Sequence, residues 1–266
     1  MTNMVIWGKV HLVGAGPGDP GLLTVKAHGL IQRAGVILHD DLVPAAILAV
    51  AGPQAEVVNV GKRCGAKAIT QAEINARMIE SARRGLNVVR LHGGDPAVFG
   101  RLAEEIDALE EAGISLEIVP GVTAGTAAAA ALGFSLTDRR RSSRVIMVSG
   151  HRASKNAPQE RTDWKEVARE DTTLIVYMPG NDFSLLREEL LAGGLSRNTP
   201  AILVSHIGIP EQQQRVATLA DLDELPPMAT PAVLIIGRTL DRVIRREQLD
   251  DIPHSIDSVS LLLSSF

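Results

Sequence analysis

The sequence is poor in cysteine and aromatic residues and lacks long apolar segments, and each of these features excludes particular classes of protein. It contains one cysteine, Cys64, among 266 residues, so no disulfide can form within it and a reducing compartment is expected. Aromatic residues make up only 3%, and no run of 18 or more apolar residues could span a membrane. The opening residues, MTNMVIWGKV, lack the basic region and apolar core of a secretory signal. We therefore expect a cytoplasmic protein without a membrane partner.

Excess positive charge is also missing. The formal net charge is −4 at pH 7, which argues against non-specific binding to nucleic acid. Hydrophobic residues make up 45% of the chain, with alanine, valine, leucine and glycine prominent. This composition favours an α/β protein with buried parallel strands.

Short apolar runs alternate with helical patterns along the chain. Five runs end by residue 121 and five follow residue 143. They read VHLVG, GVILHD, AEVVNVG, NVVRLHG, SLEIVPG, RVIMVSG, TTLIVYMPG, TPAILVSHIG, QRVATLAD and PAVLIIG. Two such series predict two α/β lobes. We place the first lobe at 1–125, the second at 126–245, and a loosely held tail at 246–266.

Helix boundaries carry local signals. A helix is predicted to begin near Thr24, and Thr70 with Glu73 forms the capping-box pattern of another. Three glycines stand where helices are expected to end, namely Gly35, Gly85 and Gly113.

The stretch GAGPGDPGLL, residues 14–23, follows the first predicted strand. A dinucleotide fingerprint needs glycine at its first, third and sixth positions; Gly14 and Gly16 match, but the sixth residue is Asp19. Pro17 and Pro20 have no amide hydrogen to offer a phosphate. The loop is therefore either a sharp structural turn or one wall of a pocket for an adenine-bearing ligand without phosphates, such as S-adenosylmethionine.

A second turn, LHGGDPAVFGR at residues 91–101, strengthens the ligand interpretation. Gly93 and Gly94 end a strand and allow a ligand close to the backbone. Asp95 offers a carboxylate to ribose hydroxyls or to an ammonium group. Both turns are expected at the carboxyl edge of a parallel sheet, where open α/β folds bind ligands.

Several segments in order now point to a family. VGAGPGDPGLLTVKA, VGKR, QAEIN, VVRLHGGDPAVFGR, IVPGVTAGTAAAAALG and VSGH together resemble the tetrapyrrole methylase family, over roughly residues 8–245. The resemblance implies the class III S-adenosylmethionine-dependent methyltransferase fold, with two α/β lobes and the donor between them. It also implies a homodimer, and methylation of uroporphyrinogen III at ring carbons C2 and C7 to give precorrin-2 via precorrin-1.

The resemblance assigns residues to the methyl donor. They lie in the two glycine-rich turns, the start of the alanine-rich helix and the second lobe, and comprise Pro17, Gly93, Gly94, Asp95, Val98, Thr123, Ala124, Met178 and Ile207.

It also assigns residues to the tetrapyrrole. Asp40 matches the family's proton acceptor and Lys62 its proton donor, while Arg101 completes the catalytic set. Glu104 and Arg139 match polar residues that face the substrate. The alternative for Arg101 is a simple ion pair with Glu104 or Glu105 on the same helix.

The chain departs from the family pattern at four places. His39-Asp40-Asp41 replaces tyrosine–aspartate–arginine, and His92 replaces a lysine before the double glycine. Leu102-Ala103 replaces two glycines, and Asp138-Arg139-Arg140 replaces histidine–arginine–aspartate.

Other functions remain open alongside the early methylase. One is a methylase of a later corrin precursor, and another is a non-catalytic module that binds a tetrapyrrole or S-adenosylmethionine. An NAD-dependent oxidoreductase is disfavoured by Asp19 and the prolines. His39, His92 and His206 lie on separate elements without ligand spacing, so no metal site is expected.

Overall fold

A computed structural model describes residues 7–61, 69–150 and 163–250, and these form two five-stranded sheets. The α/β fold with two sheets agrees with the sequence prediction. Within the described ranges, no helix is long and apolar enough to cross a membrane.

The first sheet is entirely parallel, in the order β3-β2-β4-β1-β5. Its strands are β1 Val10–Gly14, β2 Val36–His39, β3 Glu56–Asn59, β4 Val88–His92 and β5 Leu116–Val119. Four helices connect them, α1 Val25–Gln32, α2 Ala45–Leu48, α3 Gln71–Arg83 and α4 Leu102–Glu111. Apolar side chains of α3 and α4 pack on one face of the sheet and those of α1 and α2 on the other, which buries the central strands β1, β2 and β4 on both sides.

The second sheet is mixed rather than parallel. Its order is β6-β7-β10-β8-β9, and only the β6–β7 pair is parallel. The strands are β6 Arg144–Ser149, β7 Thr172–Tyr177, β8 Pro200–Ser205, β9 Gln213–Thr218 and β10 Ala232–Ile236, and the helices are α5 Ala124–Leu132, α6 Trp164–Val167, α7 Ser184–Ala192 and α8 Asp241–Asp250. Strands β8 and β9 are joined by a short turn, which favours antiparallel pairing.

The helix signals are mostly confirmed. Thr24 Oγ1 accepts a hydrogen bond from the Ala27 amide at 3.1 Å, and Thr70 with Glu73 forms the complete capping box of α3. Gly85 and Gly113 take positive φ just after their helices. The prediction for Gly35 is wrong, because α1 already ends with Arg33 as its C-cap.

Two expected boundaries fall inside helices. The division after residue 125 lies within α5, and that helix packs on the second sheet. Helix α8 runs through residue 246, and Arg246 Nη2 donates to the carbonyl oxygen of Leu132 at 2.6 Å. Residue 246 is thus held to α5, whereas residues 251–266 of the expected tail lie outside the described residues.

Three glycines bring the ends of β1, β4 and β5 into backbone contact. A Cβ on Gly121 would lie 2.2 Å from the Gly94 carbonyl oxygen and 2.9 Å from the Gly14 Cα. Gly16 and Gly94 also exchange backbone hydrogen bonds of 3.1 and 2.8 Å. No side chain fits between these segments, so the two glycine-rich turns are held side by side.

Gly121→Ala should therefore destabilise the protein by about 1–3 kcal/mol, the usual cost of overpacking. The added methyl would meet backbone, which can move only if the strand ends separate. Urea unfolding measures the effect. Gly29→Ala is the control, because Gly29 lies within α1 and its Cβ would meet only the flexible Arg33 guanidinium, at 3.2 Å. An unchanged urea midpoint for Gly121→Ala would contradict the close approach.

Candidate functional site

A cleft of about 920 Å³, partly open to solvent, lies where the two sheets meet. The carboxyl ends of β1, β2 and β4 form one side, and the start of α5 with the ends of β7 and β8 and the start of β10 forms the other. It is lined by Gly16, Pro17, Asp40, Leu42, His92, Gly93, Gly94, Asp95, Val98, Phe99, Gly100, Thr123, Ala124, Tyr177, Met178, Ile207, Pro231 and Ala232.

The nine residues that the sequence predicted for the methyl donor all line this cleft. Both glycine-rich turns contribute, as do the alanine-rich helix and the second sheet. Asp40, predicted as the proton acceptor, lies in the same wall. The structure thus brings together segments that are up to 190 residues apart, from Pro17 to Ile207.

Other predicted residues lie elsewhere. Arg101 directly follows the cleft residue Gly100, and its side chain is half exposed. It binds Glu104 through two hydrogen bonds of 2.6 and 2.7 Å, the pairing expected of a solvated helix start. Lys62 lies outside the described residues.

Arg139 is not brought to the cleft within this chain. Helix α5 begins at the cleft and ends at Leu132, and the exposed Arg139 follows that far end. Its neighbours Asp138 and Arg140 line a separate hollow with Arg238, which follows the far end of β10. Arg139 is therefore at the opposite edge of the second sheet from the cleft.

Backbone strain is concentrated around the cleft. Four non-glycine residues of the described chain have positive φ, of 51–58°. Phe99 and Met178 line the cleft, while Arg101 and His206 are adjacent to lining residues. Such conformations are unfavourable for ordinary residues and are common at binding sites.

Asp95 has a structural role that its sequence pattern did not show. Oδ1 accepts from the Ala97 amide at 2.8 Å, and Oδ2 accepts from the Gly121 amide at 3.0 Å. The carboxylate therefore ties the second glycine-rich turn to the end of β5. Each oxygen keeps a further lone pair for a ligand.

Tyr177 is a lining residue that the sequence interpretation missed. Its hydroxyl lies 2.8 Å from Thr123 Oγ1 and accepts from the Gly125 amide at 3.1 Å. Its ring packs against Phe99 with centroids 5.1 Å apart. Tyr177 thereby links the second sheet to the start of α5, and its place at the end of the TTLIVY strand was the available signal.

A buried ionic cluster forms the floor of the cleft behind Asp40. Arg90, 3% exposed, donates from Nη2 to Asp40 Oδ1 at 2.6 Å and from Nε to Glu105 Oε1 at 2.9 Å. Glu105 Oε2 lies 2.9 Å from His92 Nε2. Arg90 and Glu105 were missed, although an arginine inside the apolar strand NVVRLHG was a usable signal, because a buried arginine needs a carboxylate.

The cluster keeps its main ion pair charged. Burial alone would lower the pKa of the Arg90 guanidinium, but the charges of Asp40 and Glu105 outweigh it and raise that pKa. Burial alone would raise the pKa of Glu105, but its hydrogen bond with His92 and the charge of Arg90 lower it. Asp40 is thus held by a fixed cation at the cleft wall.

Carboxylates, rather than cations, supply the formal charge of the lining. Among the described lining residues there are Asp40 and Asp95 but no lysine or arginine. In the described part of the chain, no three His, Cys, Asp or Glu residues are grouped so that they could hold a metal ion.

The chain is similar to known tetrapyrrole methylases. Residues 9–223 match the sequence model of the family Tetrapyrrole (Corrin/Porphyrin) Methylases. The uroporphyrinogen-III C-methyltransferase of Synechocystis sp. is 41% identical over 240 residues, which are 89% of this chain and 90% of that protein. The siroheme synthase of Zymomonas mobilis is 42% identical over 231 residues, 86% of this chain but only 48% of that longer protein.

Solved structures show the same likeness. The uroporphyrin-III C-methyltransferase of Thermus thermophilus complexed with S-adenosylhomocysteine matches with a TM-score of 0.75 and 38% identity, covering 90% of this chain and 100% of that one. A cobalt precorrin-4 methyltransferase matches with a TM-score of 0.77 and 33% identity, covering 88% and 96%. The chain belongs to the tetrapyrrole (corrin/porphyrin) methylase family.

Proposed function

We propose that this protein transfers methyl groups from S-adenosylmethionine to uroporphyrinogen III, at C2 and then C7, giving precorrin-2 by way of precorrin-1. The observation that carries the proposal is the single cleft in which the nine predicted donor residues and Asp40 converge. The Synechocystis relative, similar over nearly the full length of both chains, carries the name of this activity.

The cleft suits the methyl donor. S-adenosylmethionine carries a sulfonium and an ammonium but no phosphate, and the described lining has carboxylates without lysine or arginine. Gly93 and Gly94 leave backbone groups accessible to the ligand. The N-cap Thr123 makes no side-chain cap for α5, whose Gly125 amide instead donates to the Tyr177 hydroxyl. The positive end of the helix dipole therefore faces the wall where a carboxylate of the donor would be stabilised.

The protein's own part in the reaction is positioning and proton removal. When bound, S-adenosylmethionine supplies an electrophilic methyl group that an electron-rich pyrrole carbon attacks in line. The shaped cleft holds the two partners together, and such alignment contributes about 7–11 kcal/mol. Asp40 Oδ1 is fixed by Arg90, while Oδ2 accepts no hydrogen bond among the described residues and has His92 Nδ1 at 3.7 Å. Oδ2 is thus the free basic atom for the proton that the ring releases.

Charged side chains at the rim complete the proposal. Arg101 is released from Glu104 at small cost, since an exposed ion pair contributes about 0–1 kcal/mol, and then binds a substrate carboxylate. Lys62 is proposed as the proton donor and Glu104 as a further substrate contact. A cytoplasmic homodimer without a resident metal is part of the same proposal.

A second candidate is methylation of a later corrin precursor. It is favoured by the structural match to the cobalt precorrin-4 methyltransferase, whose TM-score is 0.77. Incubation with methyl-labelled donor and either uroporphyrinogen III or a cobalt precorrin distinguishes the two. Label in uroporphyrinogen III alone supports the main proposal, and label in the cobalt precorrin alone replaces it. Donor binding with label in neither indicates a non-catalytic module.

The donor site is tested by filling it. Ala124→Trp, at the start of α5, should reduce affinity for S-adenosylhomocysteine at least tenfold, because Ala124 lines the cleft. Ala130→Trp is the matched control, since Ala130 lies on the same helix but is exposed and outside the cleft. Calorimetric titration gives both affinities. Equal affinities for the two variants, or tight binding of NAD by the wild type, would overturn the assignment.

The role of Asp40 is tested by removing its charge at constant shape. Asp40→Asn should lower the single-turnover methylation rate by about 10²–10⁴-fold, the contribution of a general base, with donor affinity unchanged. Asp41→Asn is the control, because Asp41 is exposed, binds Asn59 at 2.7 Å and does not line the cleft. A wild-type rate for Asp40→Asn would assign proton removal to another group.

A further inference from the structure

His92 is a buried histidine in the floor of the cleft, directly behind Asp40. Its side chain is 1% exposed, and it stands at the end of β4, just before Gly93. Nε2 lies 2.9 Å from Glu105 Oε2, and Nδ1 lies 3.7 Å from Asp40 Oδ2. Nδ1 has no hydrogen-bond partner among the described residues although it is fully buried. An orphaned buried nitrogen beside the proposed base needs an explanation.

The hydrogen bonds identify the tautomer. An ionised carboxylate only accepts, so the nitrogen that meets Glu105 must carry the proton. The ionic form of Glu105 is supported by the ion pair with Arg90 at 2.9 Å. In the neutral ring Nδ1 then bears a lone pair, and a lone pair without a donor costs less than a buried N–H without an acceptor. Nδ1 is therefore a vacant proton acceptor that faces Asp40.

The cluster can accept one additional proton without gaining net charge. Asp40 and Glu105 contribute two negative charges and Arg90 one positive charge, so with neutral His92 the cluster is at −1. A proton on Nδ1 brings it to zero and places an imidazolium between two carboxylates.

We propose that His92 is the proton store for the methylation reaction, receiving through Asp40 the proton that the tetrapyrrole releases. This rests on the proposed function of the cleft. After methyl transfer the ring is cationic. A bond from hydrogen to the ring nitrogen or to a neighbouring bridging carbon breaks, and its electron pair neutralises the ring. Asp40 Oδ2 takes the proton; the Oδ2–H bond then breaks as Nδ1–H forms, which restores the Asp40 carboxylate.

His92 thus acts through Asp40 as a positioning and relay residue. After product leaves, the stored proton returns to solvent and the cluster is ready for the second methylation. The charged and titratable groups around the ring are Asp40 after β2, Arg90 on β4 and Glu105 on α4, with His39 of β2 bound to the Asp40 carbonyl oxygen at 2.9 Å.

His92→Gln tests the relay, because the glutamine amide can still donate to Glu105 but cannot hold an additional proton. In the wild type, kcat should fall at acidic pH as Nδ1 becomes protonated beforehand. In His92→Gln this acidic limb of the pH profile, the decrease of kcat at low pH, should disappear. Only the decrease of kcat caused by carboxylate protonation should remain. At neutral pH kcat should fall about 10²-fold, with KM and S-adenosylhomocysteine affinity unchanged.

His11→Gln is the matched control. His11 is likewise buried, lies 3.2 Å from the Glu117 carboxylate and is outside the cleft. It should keep the acidic limb of the wild type. If His92→Gln keeps that limb as well, or loses only stability, His92 is a structural residue and the relay is overturned.

A measurement without turnover decides the same question. Nitrogen NMR of the protein labelled in histidine, with His92→Gln used to assign the signal, should show His92 as the neutral Nε2–H tautomer in the complex with S-adenosylhomocysteine at neutral pH. An Nδ1–H tautomer or an imidazolium would overturn the proposal. If the wild type methylates no tetrapyrrole, the proposed function fails separately, and the tautomer alone decides whether His92 has a vacant acceptor.

Discussion

The backbone contact among Gly14, Gly94 and Gly121 is the constraint on which the cleft depends. Any side chain at Gly14 or Gly121 would overlap neighbouring backbone, so the ends of β1, β4 and β5 can meet only if these residues are glycine. The contact places the two glycine-rich turns against each other, and Asp95 fastens them to the β5 end through the Gly121 amide. The donor wall is therefore made largely of backbone, and its shape is fixed by packing.

The ionic cluster solves a second problem, that of holding a carboxylate in one orientation at the cleft wall. A buried arginine is costly unless it is paired, since charges lose hydration when they leave water. Arg90 satisfies that requirement with Asp40, Glu105 and two backbone carbonyl oxygens. The same contacts leave Asp40 Oδ2 and His92 Nδ1 without hydrogen-bond partners among the described residues. Within the Asp40 side chain, Oδ1 thus has the structural role of binding Arg90, and Oδ2 has the proposed chemical role of accepting the proton.

Local signals predicted the strands and most helix ends, and the family resemblance assigned the nine donor residues and Asp40 that line the cleft. Strand patterns and helix caps depend on residues that are close in the sequence. The motifs in the two glycine-rich turns are local in the same sense, so they can be recognised without knowing how the two sheets pack together. The Arg90–Glu105 pair could not be read in the same way, because it joins a strand to a helix through tertiary packing. Arg139 shows the reverse: a motif match placed it near the substrate, whereas the length and direction of α5 carry it to the far sheet edge. Gly35 failed as a helix end because α1 stops two residues earlier, at Arg33.

Binding of the methyl donor in the cleft between the sheets is best tested by a crystal structure of this protein with S-adenosylhomocysteine. The ligand should lie between the Gly93–Asp95 turn and the start of α5, in contact with Met178 and Ile207, with no displacement of the Arg90 ion pairs. S-adenosylhomocysteine bound elsewhere on the protein, or a cleft that closes without it, would contradict donor binding at this site.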